Sequence, residues 1–203
     1  MNGLTRKSIA LALAAGFCTG PALAQEGDGA PEMTAEQAQM MQAWMEAGTP
    51  GDPHERLASQ TGEWSAEMEM WMDPEAPPSK VTYSVERSME LDGRVLREEW
   101  SGEWMGQPFE GIGRTGYDNI TENYWSTWSD NMSTTLLMTT GGMQDDGSIV
   151  MTGKSPNPMT GEMTPNRFVW RFPDEDTEVM EAYETHGGEE TMTMRMTLSR
   201  ADG

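Results

Sequence analysis

Residues 67–73 read "EMEMWMD" and residues 191–197 read "TMTMRMT". In each stretch methionine takes every second position, which is the period of an extended strand and not of a helix. Met68, Met70 and Met72 are therefore predicted on one face of a strand, with Glu67, Glu69 and Trp71 on the other. Met192, Met194 and Met196 are predicted on one face of a second strand, with Thr191, Thr193 and Arg195 behind them. Charge falls on one side and thioether on the other, so both methionine rows are expected to face an interior.

The β texture of these two stretches runs through everything between them. Turn signals recur from Gly62 to Arg200, and strands are predicted near residues 63–72, 80–90, 94–104, 109–117, 123–131, 134–141, 148–154, 166–172, 178–185 and 189–199. The links include "DG" at 92–93, "DN" at 118–119, "DDG" at 145–147, "PDED" at 173–176 and "GG" at 187–188. Such short links make successive strands antiparallel neighbours. A meander of this length leaves two exposed edges unless it closes on itself. The expected fold class is all-β, an antiparallel up-and-down barrel of about ten strands, wide enough to enclose a cavity because diameter grows with strand number. Closure would set the two methionine rows side by side.

Residues 1–24 combine Arg6 and Lys7, the apolar run "IALALAAGF" and an Ala-Leu-Ala ending, the pattern of a cleaved export signal. A periplasmic or secreted protein is expected. Residues 25–33 read as a flexible leader and residues 34–61 as a helical segment ahead of the barrel domain at 62–200. In that segment Thr34 and Gln37 form a capping box and Gly48 a stop, with Ala38, Met41, Trp44 and Met45 on one face. This helix, residues 34–47, is expected either to cap a barrel mouth or to engage a protein partner. A shorter helix is predicted at "DPHERLASQ", with Asp52 as its cap and Pro53 in first position.

Composition narrows the function. The 203 residues hold 34 acidic against 13 basic side chains, a formal net charge of −21. Such a chain repels nucleic-acid phosphates and anionic lipid headgroups. No apolar run approaches the ~20 residues of a membrane-spanning helix. The single cysteine, Cys18, lies in the export segment, so the domain is expected to fold by packing and not by disulfides.

"TGEW" at 61–64, after a short helix and opening the first strand, resembles the G-x-W signature of calycins, the lipocalins and fatty-acid-binding proteins among them. The resemblance implies that Trp64 closes one barrel end and that a basic side chain of the last strand, Arg200 or Arg195, packs across it. "MWMDPEAPP" (70–78), "MGQPFEGIGRTGYDN" (105–119), "STWSDNMST" (126–134) and "MTG" (159–161) together resemble a bacterial family known as DUF1579, a domain of unknown function, over nearly all of residues 40–200. A calycin-like barrel is what that resemblance implies; it carries no catalytic residues with it.

Three readings of the methionine rows stay open: core filling, an adaptable pocket for apolar ligands, and a Cu(I) site made of soft thioethers. A small apolar or amphipathic molecule is the leading partner. For its polar head, parity places Trp128 and Asp130 on one face, with Arg97 or Arg114 as a partner for the carboxylate and Tyr117 beside them; alternatively Asp130 begins a turn. No cofactor is called for. Only two histidines occur, His54 and His186, too few for a zinc site by themselves. Neither a G-x-S-x-G elbow nor a Walker loop is present, so hydrolase and phosphoryl-transfer chemistry find no support.

Overall fold

In the computed structural model, residues 33–201 apart from Pro74 are described. The expected export segment and all but the last residue of the leader lie outside them. Two helices come first, α1 (Ala35–Ala47) and α2 (Asp52–Ser59). Ten strands follow: β1 (Gly62–Met70), β2 (Ser79–Glu90), β3 (Val95–Trp104), β4 (Gln107–Asp118) and β5 (Asn123–Asp130). The second half is β6 (Leu137–Met143), β7 (Ile149–Pro156), β8 (Met163–Arg171), β9 (Thr177–His186) and β10 (Glu189–Arg200).

Every strand pairs antiparallel with its chain neighbours, and β1 pairs with β10, which closes the barrel as expected. At that seam Met68 faces Met196 and Met70 faces Met194, so four of the six methionines meet as one wall. Behind them Lys80 bridges Glu67 and Glu69 on the outer surface. The other two methionines depart from the predicted parity. β1 ends at Met70, and Met72 stands 81% exposed in the following loop. On β10 the register shifts between Met192 and Met194, a bulge that pairs Met192 with Tyr183 while Met194 pairs with Ala182. Cross-strand partners share a face, so Met192 joins Tyr183 outside, where Arg167 covers the Tyr183 ring at 4.1 Å.

The interior divides into two layers. One is the core of Trp64, Ala66, Met68, Tyr83, Val85, Trp100, Met180, Ala182, Met196 and Leu198; the other gathers Leu96, Tyr124, Ile149 and Met151 around Leu57 of α2. α2 therefore closes one barrel end. Its cap is Gly51, not the expected Asp52: the buried His54 ring accepts the Gly51 N–H through Nδ1 at 3.1 Å. α1 begins with the predicted capping box of Thr34 and Gln37, but it does not cover a mouth. None of its residues is buried, and Met41, Trp44 and Met45 are exposed. Its C-terminal end is tied down by Asn119, which donates to the Ala47 and Thr49 carbonyls, and by Arg94, which donates to Gly48.

Candidate functional site

Alternation along the strands decides what enters the lumen. On β3 it turns Glu98, Trp100 and Trp104 inward, and on β8 Phe168 and Trp170. With the seam methionines they enclose a cavity of about 350 Å³ in the half of the barrel away from α2. Tyr83, Phe109, Trp128, Met151 and Met180 complete the apolar wall; Glu98, Ser126, Asp130 and Thr139 are its polar members. The rings interlock: Trp100 meets Trp128 edge-on at 5.6 Å between centroids, and Tyr83 lies 4.7 Å from Phe109. Glycines on β4 make room for this arrangement. A Cβ at Gly111 would sit 2.5 Å from the Trp128 ring, and one at Gly113 would sit 2.8 Å from Glu98 Oε2.

Asp130 satisfies both sequence readings at once. Its Oδ1 accepts the N–H groups of Met132 and Ser133 and so starts the turn, while Oδ2 accepts the Trp128 indole N–H at 2.9 Å inside the cavity. The Tyr83 hydroxyl is pushed up in pKa by burial and by the Asp130 charge. Arg97 and Arg114 do not partner Asp130. Both lie outside, bound to Glu90, because Glu98 and not Arg97 takes the inward position on β3. Tyr117 is also elsewhere, packed against Tyr124 and edge-on to His54 near α2. Of the predicted ligand-facing residues, Met68, Met70, Trp128, Asp130, Met194 and Met196 line the cavity; Met72, Met192, Arg97, Arg114 and Tyr117 do not.

Beneath the cavity, toward α2, lies a buried ionic layer. Arg87 donates through Nε to Glu98 at 2.7 Å and through Nη1 to Glu178 at 2.8 Å. Burial opposes the Arg87 charge, but the two carboxylates outweigh it and its pKa is raised. Glu178 is also raised, chiefly by burial, against the pull of Arg87. The sequence holds the signal for this layer, since "LREEW" at 96–100 alternates Leu96, Glu98 and Trp100 onto one face. At the far end of the layer Trp64 is held between two cations, Arg87 at 5.0 Å and Arg200 at 4.4 Å from its ring centroid. Arg200 further donates to the Thr61 and Ser59 carbonyls, locking α2 to the end of the barrel. Arg195 is excluded from that role, being paired with Glu181 on the outer face.

The family model described as "Protein of unknown function (DUF1579)" matches residues 49–200, which spans all ten strands and α2. The chain belongs to this family. A comparison with curated proteins finds no match. Among solved structures, an S-type phycobiliprotein lyase, CPES from Guillardia theta, superposes with a TM-score of 0.54 at 12% identity, covering 79% of this chain and 97% of the lyase. At that identity the likeness concerns the fold. In this DUF1579 protein the open end is rimmed by methionine: Met72, Met105, Met132 and Met159 sit on four separate loops opposite α2, all exposed.

Proposed function

We propose that this protein holds a small apolar or amphipathic molecule in its barrel. The observation that carries the reading is the cavity itself: about 350 Å³, walled by aromatic rings and thioethers, with a few polar groups at fixed positions. Ligand pockets run from ~300 to 1,000 Å³ and share this composition. Methionine suits such a wall because its unbranched, polarizable side chain moulds to varied shapes. The solved structure of similar fold is named a lyase of phycobiliproteins, so a barrel of this form serves an enzyme there. Here the lining favours holding over reacting. Its hydroxyl groups, Ser126, Thr139 and Tyr83, have no histidine or lysine to activate them among the described lining residues. Export, expected from residues 1–24, would place this activity in the periplasm or outside the cell.

Native mass spectrometry of the protein purified gently from its source cells tests the reading. A bound organic mass, released on unfolding, is the expected result. A bare polypeptide mass that persists after exposure to an extract of the cells' lipophilic molecules would overturn it and turn attention to the outer surface, the exposed face of α1 first. A copper adduct would point instead to metal handling by the methionine wall.

A further inference from the structure

The cavity is charged in one sense only. Among the described residues its lining holds two acids, Glu98 and Asp130, and no lysine, arginine or histidine. Glu98 is 8% exposed, and its two oxygens are used unequally. Oε1 accepts from Arg87, whereas Oε2 accepts no hydrogen bond from any described residue. Gly113 stands beside Oε2 without a side chain; a Cβ there would come within 2.8 Å of that oxygen. That oxygen opens onto the cavity floor without a hydrogen-bond partner among the described residues, where a donor on a ligand can reach it.

The surrounding charges do not cancel this. Arg87 is shared between Glu98 and Glu178, so the layer under the cavity holds two acids for one guanidinium. The remaining nearby cations are committed elsewhere, Arg97 and Arg114 to Glu90, Arg171 and Arg195 to Glu181, and Arg200 to Asp176. Toward the mouth, Asp130 is fixed by three N–H donors. Trp100 and Trp128, which meet edge-on, line the cavity along with the two acids, and aromatic rings attract cations. An anionic head group placed here would meet two carboxylates and no counter-charge, a strong repulsion in a low-dielectric interior.

Building on the reading of the cavity as a binding site, we propose that its ligand is a cationic amphiphile, an amine carried on an apolar body, with the nitrogen bound between Glu98 Oε2 and the indole rings. Carboxylate-bearing amphiphiles such as fatty acids are rejected.

Three probes of one skeleton separate the charges: hydrocinnamylamine, hydrocinnamyl alcohol and hydrocinnamate, each titrated calorimetrically into the full chain at neutral pH and moderate salt. The amine is expected to bind at one site per chain, roughly tenfold or more tighter than the alcohol, a difference of about 1.4 kcal/mol. The carboxylate is expected to bind most weakly. Glu98→Gln removes the charge at the floor, and Asp130→Asn removes the charge near the mouth, keeping the oxygen that caps the turn but losing the acceptor of the Trp128 indole N–H. Each is expected to reduce the preference for amine over alcohol. Because Glu98→Gln disturbs the Arg87 layer, Asp130→Asn decides the matter if that variant does not fold. Alcohol binding with no preference for the amine, or an amine preference that survives in every folded variant, overturns the cation proposal and leaves the binding reading standing. Failure of all three probes to bind overturns both.

Discussion

Glu98 Oε1 accepts a hydrogen bond from Arg87 Nε over 2.7 Å inside the closed end of the barrel, and both residues are buried. That contact ties the floor of the cavity to the end-closing stack of Arg87, Trp64 and Arg200. A buried pair of this kind is costly to break, because the partner left behind is an uncompensated charge.

The surplus acid in that layer gives a pH signature. Glu178 is raised above the ordinary carboxylate range, chiefly by burial. Its contribution to stability is therefore fully present below its unfolded pKa of about 4.3 and is lost as pH rises through the raised folded value. Glu178→Gln removes this loss. The Tm of the variant minus that of the parent is expected to grow as pH is raised from about 4.3 through the raised folded value. A difference that is flat across this range would contradict the assignment.

Glu181 on the outer face behaves oppositely. Burial opposes its ionisation, yet hydrogen bonds from Arg171, Arg195 and Tyr183 bring its pKa down to about 2. A depressed folded pKa contributes stability above the unfolded value and loses it as pH falls toward about 2. Acid titration of Glu181→Gln, followed by circular dichroism, should show a shallower fall in stability between about 4.3 and about 2 than the parent shows.

The two helices differ in what they hold. Leu57 of α2 is 2% exposed in the core, so Leu57→Ala is expected to cost about 2–5 kcal/mol in chemical denaturation. Deletion of residues 34–47 removes a helix with no buried residue and should leave the barrel's denaturation midpoint nearly unchanged. A large loss on that deletion would mean that the exposed face of α1 is packed in solution.

Methionine oxidation should sort by position. A thioether accepts an oxygen atom from hydrogen peroxide, giving sulfoxide and water, and access governs the rate. Met72, Met105 and Met159 are open at the rim, whereas Met68, Met180 and Met196 are buried. Peptide mapping after brief peroxide treatment is expected to find sulfoxide at the first three before the last three.

How far the sequence could be read depended on whether one strand's own pattern was sufficient. Alternation in "EMEMWMD" put Met68 and Met70 in the lumen, and the turn spacing gave ten strands and closure. Met192 was misplaced because the bulge beside Thr193 depends on how β10 registers with β9, which β10 alone does not encode. Met72 was misplaced because the strand ends at Met70, two residues earlier than its apolar pattern. Charge alone suggests Arg97 and Arg114 as partners for Asp130, whereas alternation on β3 sets Glu98 and Trp100 inward and Arg97 outward. α1 has an apolar face without a surface to rest on, which periodicity by itself cannot distinguish from a packed one.

The central claim is that the cavity is a binding site, and its most direct test is methyl NMR of protein labelled at methionine, titrated with the neutral probe hydrocinnamyl alcohol. The account predicts saturable shifts at Met70, Met151, Met180 and Met194, which line the cavity, and none at Met40, Met41 or Met159, which are exposed far from it or on its outer rim. Cavity methyl signals that stay fixed up to the solubility limit of the probe, or shifts confined to the exposed methionines, would contradict it.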